Sequence, residues 1–275
     1  MNNAPSMKLR RDNLWIWGQH PGCHHAGGYK LPGENHMDSA EGARYLGIPN
    51  CCRVVMQDKP APPFDEESEK LKGFKQVVWS SVGAGSTTRH RANQSDLDEV
   101  LRQAAKYNNV TGAVLDDFFP STEAFETNKG DRARHTIESI RSMRDRLHDF
   151  PARKLDLWLV WYDYQLDFNV EDYVDLCDVI TFWTWEGSHL SQLDENIEKL
   201  VRKTPGKRRL AGCYMWNYGE TKPLTNEQMQ FQLDRYQHWI EKGDLEGIVF
   251  CSNCIADIGL EAVELTREWI SKIPE

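Results

Sequence analysis

Short apolar runs alternate along this chain with longer stretches in which apolar and charged positions recur at helical spacing. The short runs are rich in β-branched and aromatic residues, the mark of strands buried on both faces. Eight are present: Leu14 to Trp17, Cys51 to Met56, Phe74 to Ser81, the run from Val110 that ends in Asp116 and Asp117, Leu155 to Tyr162, Asp178 to Trp185, Arg209 to Trp216, and Gly247 to Ser252. Helical patterns follow them: Asp38 to Tyr45, Asp65 to Lys72, a helix capped by Ser95 and running to Tyr107, and Asp131 to His148. Beyond these come a weak segment near Val170 to Leu176, then Leu190 to Lys203, Glu227 to Lys242 with Thr225 as its cap and Gly243 at its end, and Leu260 to Lys272. Eight strand–helix units in 275 residues predict an α/β protein with a single (β/α)8 TIM barrel over 13–275, preceded by a polar tail over 1–12. A doubly wound open sheet is the alternative, but no Gly-rich phosphate loop follows the first strand.

Charge and composition narrow the partners. A formal charge of −9 argues against affinity for nucleic acid phosphates or an anionic membrane. No apolar segment long enough to span a bilayer is visible, and Met1 to Asp12 lacks the apolar core of a secretory signal. Seven cysteines, an odd number without the spacing of a small disulfide framework, fit a reducing compartment, so a cytoplasmic location is expected. The oligomeric state is not legible.

The candidate chemistry lies at the strand ends, where a barrel of this kind builds its site. Adjacent carboxylates repel, and each loses hydration when buried. A chain meets that cost most readily where one acid holds a proton, so Asp116 and Asp117 are the expected catalytic residues. In a regular strand they would face opposite ways, and both reach the lumen only if the strand is already turning. The other strand ends supply Gln19, His20, Tyr162, Asp163, Trp183, Trp185, Glu186, Trp216, Asn217 and Asn253. Indole and phenol faces suit the apolar faces of a sugar ring, and amides and carboxylates suit its hydroxyls, so these are the expected carbohydrate-binding residues. Some tryptophans would instead pack between barrel and helices. His20, Cys23, His24, His25 and His36, with Cys251 and Cys254, raise a metal site as an alternative. They lack a His-x-His pair and a second C-x-x-C, so neither metal nor cofactor is expected.

The Asp116-Asp117 pair at the end of the fourth strand resembles the signature of the O-GlcNAcases, glycoside hydrolase family 84. Phe182-Trp183-Thr184, Met215-Trp216-Asn217-Tyr218 and Ser252-Asn253 resemble that family's later strand ends in the same order. The departures are Trp185 for a Gly, Gly219 for a Pro, serines at strand three for a Lys, and no Asp after Tyr218, with Glu220 the nearest acid. The resemblance implies substrate-assisted cleavage of a 2-acetamido sugar, an exception to the two-carboxylate rule. Asp116 would polarise the acetamide and Asp117 would act as acid and then base. Asn217 and Asn253 would bind hydroxyls or the acetamide, and Trp183 and Trp216 would wall the pocket. Gly112 to Pro120 also resembles the strand-four motif of the family 18 chitinases, with Phe118 where their acid Glu would stand. Two further readings stay open: a two-carboxylate glycosidase using Glu186 or Asp163 beside an Asp of strand four, and a barrel that only binds sugar.

Overall fold

The computed structural model describes residues 8–91, 93–127 and 132–275. Eight parallel strands close into a barrel in sequence order. They are β1 (Leu14–Gly18), β2 (Asn50–Arg53), β3 (Gln76–Val82), β4 (Val110–Leu115), β5 (Asp156–Tyr162), β6 (Val179–Trp183), β7 (Arg208–Tyr214) and β8 (Gly247–Cys251). The barrel shuts where β1 pairs with β8, from Leu14 opposite Ile248 to Trp17 opposite Cys251. Outside lie Ser39–Leu46, Asp65–Leu71, Leu97–Lys106, Ile137–His148, Glu171–Val174, Leu193–Lys203, Asn226–Glu241 and Glu261–Ser271, one helix after each strand. The expected single (β/α)8 barrel is therefore the fold found. No helix among the described residues is long and apolar enough to cross a membrane.

Element ends moved for identifiable reasons. The helix after β3 begins at Leu97 behind Asp96, not behind Ser95. Asp96 gives it no side-chain cap, because its carboxylate is held by Arg89 at 2.6 Å and faces His90 at 2.8 Å. The helix after β4 starts six residues later than its charge pattern suggests, at Ile137, with Thr136 accepting the Ser139 N–H; Asp131 lies outside the described residues. Thr225 caps its helix as expected, and Gly243 ends it at φ 84°. Residues 1–7 of the expected tail also lie outside the described residues. The remainder packs: Leu9 is buried, and Arg11 donates its N–H to Pro274 O at 2.9 Å.

Alternation along each strand decides what faces the lumen. Trp15 meets Trp158 across the barrel with ring centroids 4.8 Å apart, and one layer higher Trp17 meets Trp183 at 5.2 Å. Gly212 makes that upper layer possible, since a Cβ there would lie 1.9 Å from the Trp183 ring. Four of the tryptophans thus form a floor. Trp79 stacks on Phe64, and Trp161 Nε1 donates to Gln165 O at 3.1 Å; both belong to the layer between barrel and helices.

Candidate functional site

A cup sits on this floor at the C-terminal ends of the strands, and all eight strands or their following loops contribute to it. Its wall runs from Trp17 and Gln19 through Met56, Ala84, Asp116 and Asp117, Tyr162, Trp185, Tyr214 and Tyr218 to Cys251, with His24 and Tyr29 reaching in from the loop after β1. It is narrow, with about 70 Å³ of free volume, a few water molecules' worth. A larger hollow, about 740 Å³, is a charged surface groove lined by Arg11, Arg44, Glu264 and Arg267, and it shares no residue with the cup.

The geometry of strand four answers how two neighbouring acids share one cup. Gly112, Val114 and Asp116 alternate inward, and the strand stops at Leu115. Asp117 would face out, but its φ of 42° turns the chain and brings its carboxylate back to the lumen. Gly85 N–H donates to Asp117 Oδ2 at 2.8 Å, and Tyr162 OH donates to Oδ1 at 2.7 Å. Asp116 Oδ1 accepts the Asp117 N–H at 2.9 Å. Arg134 braces the turn through carbonyls alone: it donates to Gly83 O, to Asp116 O at 3.2 Å and to His90 O at 3.0 Å. No guanidinium draws either acid out of the cup.

Burial pushes the Asp116 carboxyl well above the ordinary range, and the neighbouring Asp117 charge adds to the rise. Burial likewise holds Tyr162 well above its usual value, so its hydroxyl stays a donor. His24 is 4% exposed, and burial lowers its pKa to about 3, leaving a neutral imidazole. Burial therefore favours the neutral form of Asp116, the acid that the O-GlcNAcase resemblance implies as the one polarising the acetamide.

The structure brings together Asp116, Asp117, Gln19, Tyr162 and Trp185. The other expected site residues lie off the cup's lining. Trp183 is in the floor, with Nε1 donating to Thr181 Oγ1 at 3.0 Å. Trp216 is buried and donates to Tyr29 O at 3.2 Å. Asn217 accepts from Gly187 and Glu220 N–H, both at 3.1 Å, and donates to Glu220 at 2.5 Å. Asn253 accepts from Gln19 N–H at 2.7 Å and donates to Gln19 O at 3.0 Å and Met37 O at 2.8 Å. Asp163 holds the Trp185 N–H at 3.1 Å and His189 at 2.8 Å, while Glu186 turns toward His189 at 3.6 Å. His20 lies beside the rim, its pKa lowered by burial and then by the Lys59 charge. Phe118, at the chitinase acid position, is buried against Phe119 and His135.

Tyr218, at the end of strand seven, also lines the cup, as do Trp17, Tyr29, Met56 and Tyr214, which the sequence did not single out. The period of two would have found Tyr214, which follows Gly212 on the inward face, whereas nothing local marks Tyr29. All seven cysteines are free and buried, and among the described residues no three His, Cys, Asp or Glu side chains gather as metal ligands.

No protein-family model and no curated protein matches the chain. Solved structures do match in shape. The spore cortex-lytic enzyme SleL of Bacillus megaterium superposes with a TM-score of 0.57 at 11% identity, over 99% of this chain and 76% of that one. Active domain 2 of a chitinase from Pyrococcus furiosus gives 0.56 at 11% identity, over 90% and 86%. A modular endo-β-1,4-mannanase of Cellulomonas fimi gives 0.54 at 11%, over 96% and 72%. At such identities the likeness is one of fold alone, and the class it defines is the (β/α)8 barrel.

Proposed function

We propose that this protein is a glycoside hydrolase that cleaves a neutral 2-acetamido sugar from its aglycone, with Asp116 and Asp117 as the acid pair. The observation that carries the reading is the convergence of both carboxyls, one of them deeply buried, on a cup walled by Tyr and Trp faces. A lone protonated acid beside its neighbour is what acid/base cleavage of a glycoside needs at neutral pH. The shape shared with a chitinase and a mannanase supports the same class.

In this reading the acetamide oxygen attacks the anomeric carbon, and the chain supplies no nucleophile of its own. The acetamide N–H donates to Asp116. A hydrogen bond to a carboxylate favours its charged form, so the proton moves from Asp116 to Asp117. Asp117 then protonates the leaving oxygen while Tyr162 holds its other oxygen in place. The breaking bond takes that proton, and the aglycone leaves as an alcohol. Water, deprotonated by Asp117, opens the resulting oxazoline and restores the acetamide. Asp163 and Glu186, the partners a two-carboxylate mechanism would need, are bound to other groups off the cup's lining.

A panel of aryl glycosides with and without a 2-acetamido group tests this. Hydrolysis confined to the acetamido members, and inhibited by a thiazoline mimic of the oxazoline, is the expected result. Equal rates on 2-hydroxy glycosides, or no hydrolysis of any member, would contradict it.

A further inference from the structure

Two polar side chains in the cup are used neither by the acid pair nor fully by the fold. Gln19 and His24 both follow β1, three strands round the barrel from Asp116, and are 3% and 4% exposed. The main chain of Gln19 is held on both sides by the Asn253 amide, at 2.7 and 3.0 Å. Its side-chain nitrogen meets the Met56 sulfur at 3.3 Å. A thioether only accepts, which sets the amide's orientation. Gln19 Oε1 is left buried with no partner. Native proteins rarely leave such an acceptor unpaired. The terminal torsion of a glutamine is soft, so this oxygen can turn to a donor that enters the cup.

His24 offers the complement. Its Nδ1 faces the hydroxyls of Tyr218 at 2.8 Å and Ser252 at 3.4 Å. With a hydroxyl donating to Nδ1, the neutral ring carries its proton on Nε2, which meets no protein partner among the described residues. Among the described residues no Lys or Arg lines the cup, so a carboxylate or phosphate on the sugar would find no counter-charge from them.

We propose that Gln19 and His24 form the specificity-determining face of the cup and grip one hydroxyl of a neutral sugar. Oε1 accepts a hydrogen bond from the hydroxyl, and Nε2–H donates one to its oxygen. On this account Asn253 is a positioning residue that acts through Gln19. The inference rests on the glycoside reading above.

The test compares wild type with Gln19→Met, which keeps volume but loses the acceptor, His24→Phe, which keeps the ring but loses both nitrogens, and Gln19→Glu, which keeps an acceptor. KM and kcat are measured on the aryl glycoside that wild type cleaves fastest, and inhibition by the mono-deoxy forms of the same sugar. KM should rise about tenfold in Gln19→Met and in His24→Phe, with the loss falling on KM more than on kcat. One deoxy sugar should inhibit wild type and Gln19→Glu about tenfold more weakly than the parent sugar does. Gln19→Met should not distinguish the two. If wild type is active while both variants keep its KM, or the losses are uniform across the deoxy series, this inference fails alone. If wild type neither cleaves nor binds any glycoside, the glycoside reading fails and takes this inference with it.

Discussion

The end of strand four and the ends of strands seven and eight carry equally suggestive residues, and the fold uses them in opposite ways. Asp116 and Asp117 keep their carboxyls on the cup, and desolvation raises the pKa of Asp116. Asn217 and Asn253 are as deeply placed, at 1% and 0% exposure, yet their amides are taken by the loops around them. The difference is chemical. An amide has two donors and an acceptor and satisfies peptide groups of either kind, so loops readily recruit it. A carboxyl pair cannot satisfy itself, and the chain leaves it facing a space where a ligand can complete it.

The largest effect that sharpens the contrast is on stability at strand eight. Asn253→Leu removes the partners of Gln19 N–H, Gln19 O and Met37 O together. Each buried peptide group left unpaired costs roughly 1–3 kcal/mol, so a loss of about 3 kcal/mol or more is expected. Urea unfolding measures it. A variant of wild-type stability with weakened sugar binding would instead put the Asn253 side chain in the cup.

Asp116→Asn should do the opposite, and by less. Unfolded, this acid releases its proton near an ordinary value of about 4, but burial makes the folded chain hold it to higher pH. Between those two values the folded state binds more protons than the unfolded one, so stability falls as pH rises through that window. The neutral amide escapes this. Melting curves from pH 4 to 8 should show Asp116→Asn gaining on wild type as pH increases. Parallel curves would break the claim that Asp116 is buried as the acid.

Strand and helix succession was legible because apolar runs and helical periodicity hardly depend on distant residues. The Asp pair was legible too, since two adjacent acids ending an apolar strand need a local reason. What could not be read was the disposition of single atoms. Trp183 is in the floor because Gly212, on the neighbouring strand, leaves room for its ring. Asn253 is a brace because Gln19 and Met37, more than two hundred residues away in sequence, present their peptide groups to it. The left-handed turn at Asp117 depends on its tertiary setting, where Gly85 and Tyr162 hold the carboxylate and Arg134 ties the carbonyls beside it. His24 entered the sequence reading only within an alternative metal site; its neutrality follows from burial that only the closed barrel creates.

The most direct measurement of the central claim is kcat of the Asp117→Asn protein on an aryl 2-acetamido-glycoside, with thermal melts beside it. The account predicts a fall of about 10³-fold, the scale of a lost general acid/base, with a melting temperature close to wild type. Turnover within a few fold of wild type would contradict it, whatever else the cup binds.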